Sequence, residues 1–94
     1  MTGVAKIGSI STGHDGFPPR PIISGSNNVF INSVGASKIG DAWAVHCNDS
    51  SCHNCNQATG SSSVFVNGVG ICCIGMSTGC GDSIATGSLD TFAG

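Results

Sequence analysis

The chain contains no glutamate and no tyrosine, and its only basic residues are Lys6, Arg20 and Lys38. Each shortage excludes something. With so few cations and a formal charge of -2, there is no electrostatic footprint to hold phosphates, which argues against a nucleic-acid partner. Without glutamate, and with no HExxH sequence, the usual general base of a catalytic zinc site is missing. Asp15 and Asp41 are the remaining candidates for that role, and both stand where turns favour aspartate. No Ser-His-Asp spacing supports nucleophilic catalysis, so the chain reads as non-enzymatic, with a metal hydrolase as the one enzymatic reading left. No apolar run is long enough to span a bilayer, and the first residues lack the charged-then-apolar layout of a signal peptide. The protein is therefore expected in the cytoplasm when made, or to leave by a route that reads no N-terminal signal. A capped apolar period of 3.6 residues is absent as well, which predicts almost no helix.

What is present is a repeat. Gly60 to Gly75 reads GSSSVFVNGVGICCIG, two short apolar runs joined by Asn67-Gly68, the strongest short-range hairpin signal. Gly25 to Gly40, GSNNVFINSVGASKIG, is a second copy with the weaker turn Asn32-Ser33. Gly87 to Ala93 repeats the first strand alone, and Ala5-Lys6-Ile7-Gly8 repeats the second alone. The third pair is thus split between the chain ends, and its simplest closure pairs residues 5–8 with residues 88–93. The expected fold is all-β, a small pseudo-three-fold cone of short hairpins with a pointed apex, occupying residues 1–94 as one domain. Val29 and Ile31 fall on one face of their strand and Phe30 on the other, as do Val64, Val66 and Phe65. Such strands are covered on both faces, or pack one face on a partner.

A chain of 94 residues is too short for a generous core and needs a staple. Six cysteines and three histidines supply the atoms. His14 lies six residues after Gly8, His46 six after Gly40, and Cys80 five after Gly75. Three equivalent loops would bring these side chains toward one axis, and His53, from the longer middle loop, would complete a tetrahedron. Four nitrogen and sulfur ligands with closed coordination favour one structural Zn2+. Two alternatives stay open. Cys47, Cys52 and Cys55 offer a local site with His53 or His46, although that spacing fits no standard zinc knuckle. The six cysteines also allow disulfides, but adjacent Cys72 and Cys73 point to opposite faces and read best as small buried hydrophobes. The run Phe17-Pro18-Pro19-Arg20-Pro21 reads as a stiff extended loop.

The paired GS-x-x-VF-(I/V)-N hairpins, Gly13-His14 with Phe17-Pro18-Pro19-Arg20-Pro21, Gly40-Asp41, and Cys80-Gly81 before a third Gly-Ser resemble PAAR-repeat proteins over nearly the whole chain. These are the tips of type VI secretion spikes and of contractile bacteriophage tail spikes. The resemblance implies a cone whose base caps a trimeric β-helical spike, VgrG-like or from a phage baseplate, with one chain per trimer. It also implies one zinc near the apex, held by three histidines and one cysteine, at the positions of His14, His46, His53 and Cys80. It departs where Pro-Ala-Ala-Arg is expected, which here reads Gly35-Ala36-Ser37-Lys38 and Gly70-Ile71-Cys72-Cys73, and at Gly75-Met76 in place of Gly-Asp. By this resemblance the protein pierces a target envelope, meeting its membrane transiently, and resides at a virion tail tip or is secreted from the cytoplasm on a spike. The rival role is an adaptor for effectors or other cargo, which would bind non-covalently because the sequence stops at Gly94.

Overall fold

Both hairpin signals form the same turn in the computed structural model, which describes residues 2–93. β2 (Phe30–Ile31) pairs with β3 (Val34–Gly35), and β6 (Phe65–Val66) with β7 (Val69–Gly70), each antiparallel. Asn67 and Gly68 have φ of 53° and 81°, and Asn32 and Ser33 have 51° and 70°. Two successive left-handed residues give a turn whose twist matches that of the strands it joins. At the second turn Ser33 adopts this geometry without glycine's freedom.

The third hairpin is made from the chain ends, β1 (Thr2–Gly3) against β8 (Phe92–Ala93), in the register Thr2↔Ala93 and Gly3↔Phe92. Closure by the ends is as expected, but the expected register, residues 5–8 against 88–93, is not the one formed. Thr2-Gly3 takes the place that Val34-Gly35 and Val69-Gly70 take in the other copies, and residues 5–8 are used elsewhere. The three hairpins pack tightly behind their second strands. A Cβ on Gly35 would lie 2.5 Å from the Ser26 carbonyl oxygen, and one on Gly3 2.5 Å from that of Ser88.

After each second strand the chain enters a ring around the pseudo-three-fold axis. The Ala5 N–H donates to the Cys72 carbonyl (2.8 Å), Cys72 to Ser37 (3.0 Å), and Ser37 to Ala5 (3.0 Å). All three residues have no exposed surface (0%). Bridges Lys6↔Ala36, Lys38↔Ile71 and Val4↔Cys73 continue the same three-fold pattern. Gly8, Gly40 and Gly75 then turn the chain away from the ring at φ of 96°, 93° and 91°, a conformation that glycine adopts without steric cost.

The apolar residues lie on both sides of the ring. Val4, Ile31, Ala36, Val66, Ile71, Cys73 and Ala93 pack against the hairpins, and Ala5, Ile22, Trp43, Cys72 and Ile84 form a second cluster toward the arms. Cys72 and Cys73 thus serve opposite faces as small buried residues. Beyond the second cluster three arms extend, braced by the bridges Ile10↔Pro21, Ala42↔Asn56 and Ser77↔Ser83. The middle arm, the longest, contains a further hairpin, β4 (His46–Cys47) with β5 (Cys52–His53). The segment around β5 reads in sequence as a polar loop, because Cys-His carries no apolar alternation. The resulting all-β body contains no helix among the described residues and is elongated, 37 × 23 × 22 Å.

Replacing Ser33 with glycine should relieve a left-handed side-chain residue, worth roughly 1–2 kcal/mol. The added chain entropy offsets roughly 0.5–1 kcal/mol of this. Ser33→Gly is expected to raise unfolding stability by about 0.5–1 kcal/mol in denaturant titrations. An unchanged or lowered midpoint would contradict the turn assignment.

Candidate metal centre

Each arm delivers its donor by a local device. In the first arm His14 and Phe17 flank an Asp15-Gly16 turn with φ of 46° and 81°. Their backbones exchange hydrogen bonds, His14 N–H to Phe17 O at 3.0 Å and Phe17 N–H to His14 O at 2.6 Å. Asp-Gly is a hairpin signal of the same kind as Asn-Gly, and it was legible in the sequence although the segment reads there only as part of a loop. In the middle arm His46 and His53 are directly paired across β4 and β5, so their side chains share one face. The neighbouring pair, Cys47 and Cys52, lies on the other face and is joined by a disulfide. In the third arm a tight turn, Thr78 N–H to Asp82 O at 2.9 Å, carries Cys80.

These devices bring the four sequence-derived candidates together. One donor atom each from His14, His46, His53 and Cys80 lie within 4.8 Å of one another, an arrangement able to hold a metal ion. The Nε2 of His53 is 2.8 Å from that of His46 and 3.2 Å from that of His14. His46 Nδ1 lies 2.7 Å from the Pro18 carbonyl oxygen. A carbonyl only accepts, so Nδ1 is the donor there, and in the neutral tautomer that fits this contact Nε2 is the lone-pair nitrogen. His14 Nδ1 faces the Asp15 carboxylate at 3.4 Å, with the same consequence. With both rings in those neutral tautomers, two lone pairs converge on His53 Nε2, which has a single proton to offer at most. A cation bound by all three nitrogens suits this donor set, with the outer nitrogens already oriented by oxygen acceptors. Burial first, then the neighbouring imidazoles of His46 and His14 and the Arg20 guanidinium, hold His53 below the ordinary histidine range. Its neutral form, the one that binds metals, is thereby favoured.

Cys80 has a second commitment, a disulfide to Cys55. The local site of Cys47, Cys52 and Cys55 with a histidine is not formed, because all three sulfurs are in disulfides. Cys72 and Cys73 are free thiols. Burial pushes the Cys72 thiol up to about 12, which leaves it protonated and unreactive at neutral pH.

The Pro-rich run proves to be the support of the site. The Phe17 ring, buried, contacts all three imidazoles, with centroids 5.0 Å from His14, 4.8 Å from His46 and 4.0 Å from His53. Arg20 is buried, 3% exposed, and its guanidinium lies over Trp43. Its Nη2 donates to Asp82 Oδ1 (3.3 Å) and lies 2.9 Å from Cys55 Sγ and 3.5 Å from Cys80 Sγ. Burial alone would raise the Asp82 pKa. Hydrogen bonds from Thr78 and Ser11, the Arg20 charge and the Gly13 N–H outweigh it and hold the carboxyl below its usual range. Burial pulls the Arg20 pKa down, with Asp82 opposing, and the group remains cationic. Neither Arg20 nor Asp82 was identifiable from local sequence.

The family model for the PAAR motif matches residues 12–86. No curated protein matches the chain.

Removing one partner of a buried ion pair strands the other, at about 3 kcal/mol. Asp82→Asn is therefore expected to lower stability by about 3 kcal/mol at pH 7. Because the folded-state pKa of Asp82 is depressed, its contribution is present above the unfolded carboxylate value, about 3.9, and is lost as pH falls through the folded value. Denaturation curves of wild type and variant should converge as pH falls below the depressed folded-state value. A constant difference across that window would show that the carboxylate charge is not what stabilises.

Proposed function

The chain belongs to the PAAR-motif family, and on that premise we propose that it is a non-enzymatic spike tip, whose three-hairpin base caps a trimeric β-helical spike. The observation that carries the reading is a three-fold set of uncovered aromatic rings. Phe30, Phe65 and Phe92 hold the same place in the three hairpins and are 58%, 57% and 50% exposed, while the residues beside them, Ile31, Val66 and Ala93, are buried in the core. Three equivalent apolar groups on one chain fit three identical subunits. One copy per trimer follows, with the spike's strand ends meeting the hairpin strands.

At the other end the donor set of three imidazoles and one cysteine is the type that binds Zn2+ in closed, structural sites. His14, His46, His53 and, as a thiolate, Cys80 would hold it. Bound there, zinc would crosslink the three arms. His46, held by the Pro18 carbonyl, and the Phe17 ring packed on the imidazoles keep the nitrogens directed at one point and shielded from water. Arg20 and Asp82 anchor the first and third arms beneath them. The three arms then resist splaying when the spike is driven against an envelope. Four protein donors leave no open coordination position for a substrate, which supports a structural rather than a hydrolytic centre.

Size-exclusion chromatography with mass measurement of the protein mixed with a trimeric β-helical spike should give a complex of one chain per trimer. Half-exposed Phe side chains buried on docking contribute about 1 kcal/mol each. The triple variant Phe30→Asp, Phe65→Asp, Phe92→Asp should then weaken docking by at least about 100-fold. A three-to-three complex, or undiminished binding by the variant, would count against the cap.

A further inference from the structure

Cys80 stands between two bonds that it cannot make together. Its sulfur belongs to the group of donors with His14, His46 and His53, and it is also bonded to Cys55 of the middle arm, with Cα atoms 5.9 Å apart. A metal takes cysteine as the thiolate, and a disulfide sulfur carries no charge to give. Cys55 is not one of the four converging donors, so its pairing competes for Cys80 without replacing it. Arg20 Nη2 faces both sulfurs, at 2.9 Å and 3.5 Å, which fixes the two arms against one guanidinium. The other disulfide, Cys47–Cys52, joins the exposed face of its own hairpin and uses none of the four donors.

We propose that Cys55 and Cys80 form a redox gate on the metal centre. Reduced, Cys80 completes a four-donor site with the three imidazoles. Oxidised, its sulfur stays beside the imidazoles but is bonded to Cys55 and has no thiolate charge to give, so three imidazole donors remain. The inference rests on the zinc reading given above. With a low-molecular-weight disulfide such as oxidised glutathione as oxidant, Cys55 loses its proton and attacks one sulfur, forming a mixed disulfide and expelling one glutathione thiolate. Cys80, leaving the metal as a thiolate, attacks the Cys55 sulfur of that mixed disulfide and expels the second. The two cysteines give up two electrons in total, the glutathione disulfide gains them, and the Cys55 proton ends on one of the two glutathione products. Excess glutathione thiol reverses the sequence.

The test uses the full chain equilibrated with zinc in buffers dominated by reduced or by oxidised glutathione. Zinc affinity is measured by chelator competition, and disulfides are mapped by peptide mass spectrometry. Losing a ligand should cost at least as much as losing an outer-shell contact, so the oxidised protein is expected to bind zinc at least about 10-fold more weakly. Cys55→Ser should bind zinc equally well in both buffers. Cys47→Ser with Cys52→Ser should keep the wild-type dependence. Replacing zinc by cobalt should show thiolate-to-metal charge-transfer absorption in Cys55→Ser and in the reduced forms of wild type and the Cys47→Ser, Cys52→Ser variant, and not in oxidised wild type. Equal zinc affinity with the Cys55–Cys80 disulfide mapped as formed would overturn the gate while leaving the metal centre standing. So would a Cys55→Ser variant as redox-sensitive as wild type. Absence of zinc binding by reduced wild type and by Cys55→Ser would overturn the metal centre itself, and the gate with it.

Discussion

Three backbone hydrogen bonds, linking Ala5, Cys72 and Ser37 in a closed triangle, are the constraint on which the rest of the molecule is hung. Each bond contributes only about 1 kcal/mol net. Their importance is geometric, because they lock three distant segments into one register at a point with no exposed surface. From that ring the hairpins diverge to one side and the arms to the other. A slip at any corner would strand buried amide groups and displace both an exposed Phe and one of the four converging donor side chains. The small side chains at the ring, Ala, Ser and Cys, let the three backbones approach closely. The larger apolar groups lie above and below.

A body this small cannot rely on burying apolar area alone. The arms contribute few large apolar side chains, and their tips are held by polar and covalent devices. Arg20 shows how these are combined. Its charge is neutralised by Asp82, its face covers Trp43, its Nη1 donates to the Ala44 carbonyl, and the Nη2 that bonds Asp82 also faces two sulfurs. The buried charge is tolerable because it is paired and both terminal nitrogens have partners, although the buried Nε has none among the described residues. The same economy operates at the turn after the ring, where the family's Gly-Asp is kept only at Gly40-Asp41. Asp41 accepts the Lys38 N–H at 2.8 Å and pairs with the Lys38 ammonium at 2.8 Å. In the other copies Ser9 Oγ accepts from Lys6 N–H at 3.0 Å and Met76 Sδ from Cys73 N–H at 3.2 Å. What the position requires is an acceptor for one backbone N–H, and aspartate is one solution among several.

The repeat architecture was legible because its signals are local and recur. Gly8, Gly40 and Gly75 mark one left-handed turn three times, and Asn67-Gly68 states its hairpin outright. Counting onward from those glycines was enough to predict that His14, His46 and Cys80 would converge, with His53 beside them. The register of the closing hairpin differs from the expected one because the Lys-Ile-Gly match lies at residues 5–8, which enter the ring, while the strand itself is only Thr2-Gly3. The roles of Arg20 and Asp82 were hidden for a different reason. They are 62 positions apart, and no local pattern distinguishes an arginine in a proline-rich loop from a buried one. The Cys55–Cys80 pairing was hidden likewise, since six cysteines allow many pairings and only the docked arms select among them.

The central claim is that the three arms are tied at one metal by donors from all of them. The most direct measurement is zinc per chain, with melting temperature, for reduced wild type and for His14→Ala, His46→Ala, His53→Ala and Cys80→Ala. The account predicts one zinc per wild-type chain, and in every variant a loss or weakening of zinc together with a lower melting temperature. Full zinc content retained in the four variants would contradict it.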